Sequence, residues 1–412
     1  MTEQREFDVV VMGATGFTGR LVAEYLLARH GAEGELRWAL AGRSQEKVDR
    51  IRSELGENAQ SLPGILADSH DRASLNALVQ KTRVICTTVG PYALHGSELV
   101  AACAAHGTDY CDLSGEVPWM RRMLDAHLAA AEQSGARIVH CCGFDSIPSD
   151  LGVWFLQQEA QKRFGQALER VRLRVKAAKG GLSGGTFASM LNIVEESRRD
   201  EATAKVLKNP YALCPEDARK GPRQPYVSGP KYDRAIGAWA APFIMAAINT
   251  RVVHRSNALL NHAYGKEFRY DEAVLTGTGF GGRLKAMTVS AGMGGFAVGA
   301  AIGPTRALLK KVVLPKPGEG PSPEQREAGF FNIIIEGNTA DGQTLRARVR
   351  GDRDPGYGST SKMIGEAAVC LARDIGDDVP GGFWTPAAAL DGKLVERLQQ
   401  HAGVTFEIED ED

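Results

Sequence analysis

The chain has 412 residues, 49 basic and 50 acidic for a formal net charge of −1, with 43% hydrophobic and 24% charged; this is globular composition, and at roughly 150 residues per domain it predicts two or three domains. The balanced charge offers no basic excess to release counterions from a polyanion, which argues against nucleic-acid binding. Seven cysteines without a CxxC pair cannot form a fully paired disulfide framework, and with no zinc-ligand spacing present a reducing compartment and no metal are expected.

The start, Met1-Thr2-Glu3-Gln4-Arg5-Glu6-Phe7, is polar and charged where a signal peptide needs an apolar core, so a cytoplasmic protein is expected. Short apolar runs then alternate with amphipathic segments, the pattern of a parallel sheet covered by helices. Strands are predicted at Phe7–Met12, Arg37–Ala41, Leu62–Leu66, Arg83–Thr88, Asp109–Leu113 and Arg137–Cys142. Helices are predicted at Phe17–His30, Gln45–Leu55, Asp71–Lys81, Ser97–His106 and Trp119–Ser134. Gly31, Gly56, Gly107 and Gly135 closely follow helical runs, where a left-handed C-cap suits glycine. After Gly143 the spacing changes. A helix over Ser149–Phe164 leads into Val171–Lys176, whose strict alternation reads as an antiparallel strand with one wet face. Asn209–Pro230 and Lys316–Pro323 read as exposed loops. Phe331–Glu336 and Thr344–Arg350 read as a hairpin joined through Asp341-Gly342.

From Ala286 to Thr305 no charged residue occurs. The ~20-residue length would cross a bilayer, but five glycines leave the segment too poor in large aliphatics. A buried helix, or one touching a lipid surface, is expected instead, with Met287, Met293, Phe296 and Val298 as adaptable apolar contacts. Ser359–Ile375 and Ala387–His401 read as amphipathic packing helices, the second with leucines at 390, 394 and 398. The expected architecture is α/β: a Rossmann-type doubly wound parallel sheet over residues 1–148, a second mixed α+β domain over 149–355, and C-terminal helices over 356–412 packing back on the first domain.

The strand Phe7–Met12 runs into Gly13-Ala14-Thr15-Gly16-Phe17-Thr18-Gly19 and then a helix, the context a dinucleotide-binding turn requires. Gly13 permits the tight turn, Gly16 lets backbone approach a pyrophosphate, and Gly19 lets helix lie close to strand, with Thr15, Phe17 and Thr18 completing the contact surface. At the end of the second strand an NAD enzyme places a carboxylate for the ribose hydroxyl; here the chain reads Ala41-Gly42-Arg43-Ser44. A guanidinium beside a hydroxyl suits a 2′-phosphate, so NADPH/NADP is expected, the alternative being a surface arginine at a helix start. Asp68 either accepts from the adenine amino group or caps the next helix. Thr88, Val89, Gly90 and Pro91 follow the fourth strand, at the edge where the ligand crevice of such sheets lies, and are expected along the nicotinamide.

Together with Tyr110–Glu116 and Gly143–Asp150, these segments resemble the saccharopine dehydrogenase-like oxidoreductases. Tyr357-Gly358-Ser359-Thr360-Ser361-Lys362-Met363 and Gly381–Ala387 are similar to C-terminal segments of the bacterial trans-acting enoyl reductases in that group. The resemblance implies an NADPH-dependent reductase acting on a small-molecule or carrier-bound acyl substrate. Saccharopine-type amino-acid chemistry and a non-catalytic, nucleotide-bound, lipid-associated protein stand as alternatives. It leaves a homodimer open, and peripheral lipid contact follows from the uncharged segment, which would line an acyl channel or lie on a lipid. Enoyl reduction needs hydride at the β-carbon, stabilisation of the carbonyl oxygen and a proton at the α-carbon. Tyr92 beside the nicotinamide loop is a candidate acid or an aromatic lid. His95, Asp112, Glu116, Asp145 and Asp150 lie on the same sheet edge; among the acids, Glu116 and Asp145 are the preferred catalytic candidates.

Overall fold

The computed structural model describes residues 5–181, 183–313 and 319–409. The charged chain start up to residue 4 and the Lys316-Pro317-Gly318 part of the second expected loop lie outside the described residues. The first half runs β1 (Phe7–Met12), α1 (Phe17–His30), β2 (Trp38–Gly42), α2 (Gln45–Glu54), β3 (Gly64–Leu66), α3 (Arg72–Lys81), β4 (Thr82–Thr87), α4 (Tyr92–His95), α5 (Ser97–His106), β5 (Asp109–Asp112), α6 (Val117–Ser134), β6 (Arg137–Val139) and α7 (Ile147–Phe164). The second half runs β7 (Arg170–Lys179), α8 (Gly184–Arg199), α9 (Glu201–Lys208), β8 (Lys231–Asp233), β9 (Ala238–Pro242), α10 (Ala246–Leu259), β10 (Arg269–Gly277), α11 (Gly279–Ala301) and α12 (Gly303–Val313). It ends with α13 (Pro323–Glu327), β11 (Phe330–Asn338), β12 (Thr344–Gly351), α14 (Thr360–Arg373), β13 (Gly382–Trp384), α15 (Pro386–Ala389), α16 (Asp391–Arg397) and β14 (Val404–Glu409).

The first sheet has strand order β13-β6-β5-β4-β1-β2-β3, parallel throughout. Apolar residues along β1 are buried on both faces, as a central parallel strand covered by helices on each side requires. The order reverses between β1 and β4, so a crevice opens at their C-terminal ends. The second sheet runs β14-β12-β11-β7-β10-β9-β8. Its strand β7 pairs antiparallel with β11 but parallel with β10, so the antiparallel expectation holds on one side only. Helix α7 bridges the two sheets, and a Cβ added to Gly152 would lie 2.4 Å from Ile335 of β11, so glycine permits the close approach.

Three expectations change. The Asn209–Pro230 segment is packed: Ala212, Leu213, Cys214 and Val227 are buried, and Arg255 Nη1 donates to the Leu213 carbonyl. The last expected helix is broken into α15, α16 and a π-turn over Leu398–Ala402, with Asp391 at φ +40° at the break, and the end of the chain adds edge strands β13 and β14 as well as helices. The uncharged segment is not a buried helix. Within α11 only Gly282, Ala286 and Ala300 are buried, because its small residues give it little bulk to pack, and it breaks from α12 at Ile302.

Candidate functional site

The β1–α1 turn is shaped by its glycines. Gly13 sits at φ +88°, a left-handed conformation that favours glycine, and its amide donates to the Ala41 carbonyl of β2 at 3.0 Å. A Cβ at Gly19 would lie 2.1 Å from the Gly13 carbonyl oxygen, so α1 can pass the turn this closely only without a side chain. Gly16 differs. It has ordinary extended backbone at φ −86° and ψ 165°, no side chain caps α1, and its added Cβ would approach only Gly13 O, at 3.3 Å. Gly16, Phe17 and Thr18 therefore present an uncapped helix start to a cleft, an arrangement suited to a diphosphate. Thr15 lies against the tip of β2, where a Cβ on Gly42 would be 3.2 Å from Thr15 Cγ2.

At that tip Arg43 is exposed and Ser44 caps α2, accepting from Lys47 N at 3.4 Å. Asp71, not Asp68, caps α3; Asp68 accepts from His70 N at 3.0 Å, which removes the capping alternative. His70 Nε2 and His95 Nδ1 are 3.0 Å apart. Burial first, then the neighbouring His70 and Arg43, hold His95 below the usual imidazole range. Thr88 N donates to Met12 O at 3.1 Å, and the methyl of Val89 covers Gly13. Thr88, Gly90 and Pro91 line the cleft, and the Gly90-Pro91 bond is cis.

The cleft encloses about 560 Å³ between the sheets. Its far wall is α8, with Ser183, Met190 and Ile193, together with Val175, Ala178, Phe243 and Ile248. Phe243 and Ile248 belong to the apolar stretch Trp239–Ile248 that the sequence offers as acyl lining, whereas the α8 residues were not picked out, because α8 reaches the cleft only through tertiary packing. Ser189 of α8 donates to Glu116 at 2.8 Å, a contact across 73 positions that no local pattern announces.

The candidate acids separate by geometry. Tyr92 lines the cleft but its hydroxyl donates to Thr87 O at 3.2 Å and accepts from Leu113 N at 3.0 Å, and its ring stacks on Trp119. The hydroxyl is committed to backbone at the ends of β4 and β5, which favours the aromatic lid over the acid among the two expected roles. Glu116 is also committed, accepting from Tyr92 N at 2.7 Å and Ala93 N at 3.0 Å as well as from Ser189; burial raises its pKa while these bonds oppose the rise. It clamps the first turn of α4 to α8. Asp112 is buried, held by Tyr110, His140 and the Ser114 and Cys141 amides, and Asp150 is buried against Ser256 and Ala387 N. Of the five, Asp145 alone is a carboxyl lining the cleft; burial lifts its pKa to about 7. Phe144 beside it packs on Phe331 and is pinned through its amide to Thr360 Oγ1 at 3.0 Å. No cluster of metal-ligating side chains occurs among the described residues.

An uncapped glycine-lined helix start, an arginine and no acid at the β2 tip, and a mixed sheet closing the crevice fit NADP, and define the chain as an NADP-dependent oxidoreductase of two-sheet architecture. A family model described as the saccharopine dehydrogenase NADP binding domain matches residues 9–139. A Mycobacterium tuberculosis chain provisionally named a trans-acting enoyl reductase is 45% identical, over 98% of this chain and 97% of its own. The trans-acting enoyl reductase of Mycobacterium leprae is 37% identical over 98% of each. Saccharopine dehydrogenase (L-Glu forming) from Saccharomyces cerevisiae shares the fold, with a TM-score of 0.54 and 12% identity over 98% of this chain and 99% of that one. The chain belongs to the trans-acting enoyl reductase family within the saccharopine dehydrogenase-like oxidoreductases.

Proposed function

We propose that the protein reduces the double bond of an enoyl thioester, presented as a small molecule or on a carrier, with Asp145 as the proton donor. The observation that carries the assignment is a buried carboxyl, Asp145, in a largely apolar cleft whose other lining acid, Glu319, is exposed; burial keeps Asp145 protonated near neutrality, as a general acid requires. Gly13, Gly16, Phe17, Thr18 and Gly19 would hold the diphosphate, Arg43 and Ser44 the 2′-phosphate, Asp68 the adenine, and Thr88 to Pro91 the nicotinamide side. Bound NADPH supplies the hydride. Asp145 then delivers a proton to the substrate's α-carbon, while Phe144, Met190, Ile193, Phe243 and Ile248 exclude water and seat the alkyl chain. Tyr92 and Glu116 position the Gly90-Pro91 loop.

Saccharopine-type chemistry would need cations to hold several carboxylates, and the described lining of the cleft includes no lysine or arginine. No described helix is long and apolar enough to cross a membrane; contact with a lipid surface belongs to the same reading. The test is NADPH oxidation with enoyl thioesters of several chain lengths. Wild type should turn over, and Asp145→Asn should lose roughly a hundredfold or more in kcat with NADPH affinity unchanged. Unaltered kcat in Asp145→Asn removes Asp145 from the chemistry. A wild type that binds NADPH but reduces none of the thioesters overturns the enoyl assignment.

A further inference from the structure

Helix α11 turns two different faces to its surroundings. Gly282, Ala286, Ser290, Met293, Phe296 and Ala300 point inward and are buried or half-buried, packing the helix on β9, β10 and α8. The opposite stripe is residues 280, 284, 287, 291, 295, 298 and 302, at the three-and-four spacing that keeps one helix face. Phe280 is 80% exposed, Val298 61%, Leu284 54%, Met287 50% and Ile302 49%. Large apolar side chains lined up in solvent along 23 residues mark an interaction surface. Gly295 on this stripe would meet nothing within 4 Å if it carried a Cβ, so the segment is an outer face and does not line a channel.

Charge selects the occupant. Between Glu272 and Glu319 the chain has no acidic residue and six basic ones, Arg283, Lys285, Arg306, Lys310, Lys311 and Lys316, in a protein whose net charge is −1; of these Arg306 pairs with Glu195 of α8 at 3.5 Å. Arg283 lies over the Trp239 ring at 5.6 Å, and Trp239 meets exposed Tyr232 edge-on. An apolar stripe with cations and amphipathic aromatics at its end is the composition of a helix lying in a lipid headgroup layer. A second copy of the chain would set these cations against like charges.

We infer that the outer face of α11 docks on an anionic lipid bilayer. The face lies one helix from the cleft, since α11 packs on α8 and Phe296 meets Phe187 of α8. An acyl chain leaving the bilayer would have a short route to the cleft. The inference rests on the acyl reading of the cleft for its purpose only, and its primary readout, binding to vesicles, depends on neither cofactor nor turnover.

The full chain is sedimented with phosphatidylcholine vesicles and with phosphatidylcholine mixed with phosphatidylglycerol. It should pellet with the anionic vesicles and be released by salt. At about a kcal/mol per cation near such a surface, Arg283→Glu with Lys285→Glu should weaken partitioning roughly tenfold or more. Phe280→Asp with Leu284→Asp should do the same. All four side chains are exposed, and unchanged circular dichroism and NADPH affinity establish that the variants fold. Failure to bind anionic vesicles, equal binding to both vesicle types, or variants that bind like wild type overturns the inference. So does a dimer in sedimentation equilibrium that Phe280→Asp with Leu284→Asp dissolves, which gives the face to a second copy. Turnover without vesicle binding overturns this inference alone; vesicle binding without turnover overturns the enoyl reading alone.

Discussion

Arg43 protrudes from the tip of β2 with no carboxylate beside it on that tip, and the proposed role for it is a 2′-phosphate contact. A charge-assisted hydrogen bond is worth about 1.5–3 kcal/mol, so Arg43→Ala should weaken NADPH binding roughly tenfold to a hundredfold and leave NADH nearly unchanged. Fluorescence titration with both cofactors checks this, and equal losses would move the phosphate contact to Ser44 or Lys47. Asp145 makes the pH dependence readable. Burial raises it from an ordinary 3.8 to about 7, so its carboxyl keeps a proton in the folded chain over a range where the unfolded chain has lost it. Turnover should hold at lower pH and fall as pH rises through about 7, and Asp145→Asn should lack that limb. The stability sign is the same: between about pH 4 and 7 the folded state binds more protons than the unfolded one, so Asp145 costs stability as pH rises and the cost levels off above 7. Asp150 and Glu272, also raised to about 7 by burial, add to that slope. Urea unfolding across this range should give less sloping stability for Glu272→Gln, whose amide cannot ionise and whose single oxygen can still accept from one of the two donors, Tyr270 and Asn249, that bond the carboxyl.

The β1–α1 element puts two glycines of one turn to different uses, and substitution separates them. Gly16→Val keeps allowed backbone angles and should fold with native circular dichroism, yet its branched side chain occupies the place a diphosphate needs, so NADPH binding should vanish. Gly19→Ala should instead destabilise the whole protein, by about 1–3 kcal/mol for a forced core clash, because its Cβ would lie 2.1 Å from Gly13 O; the urea midpoint measures it. If Gly16→Val binds NADPH normally, the turn is not a phosphate site. This element was legible in sequence because everything it uses is contiguous: β1, α1 and α5 fall on their predicted bounds. Other elements were illegible for physical reasons. Strand β8 is three residues at a sheet edge, β14 has no local partner and pairs with β12, and α8 gains its role only by meeting Glu116. The uncharged run of α11 was misleading, since absence of charge is compatible with burial or with an apolar outer face, and only the position of the sheet beneath decides which.

At the scale of the whole molecule the chain's end ties its two sheets together. Strand β13 extends the first sheet beside β6 and β14 closes the second beside β12, while α14 packs on β1, β4 and β5. A continuous apolar core runs from Val9 and Val11 through Ile147, Leu151 and Val153 of α7 to Ile333, Ile335, Val349 and Val404. Arg137 adds a polar tie: it pairs with buried Asp109, with Nε 3.0 Å from Oδ2, and its Nη1 donates to the Ile375 and Gly376 carbonyls at 3.2 and 3.1 Å. We therefore expect residues 1–148, 149–355 and 356–412 to unfold together, and calorimetry should show one transition. NADPH, binding only the folded state, should move the entire transition upward. Arg137→Met leaves Asp109 a buried carboxylate without its cation, at a cost of about 3–5 kcal/mol, and should lower that single transition without splitting it. Two transitions, of which one alone responds to NADPH, would mean that the first sheet folds independently and that the shared core contributes little to cooperativity.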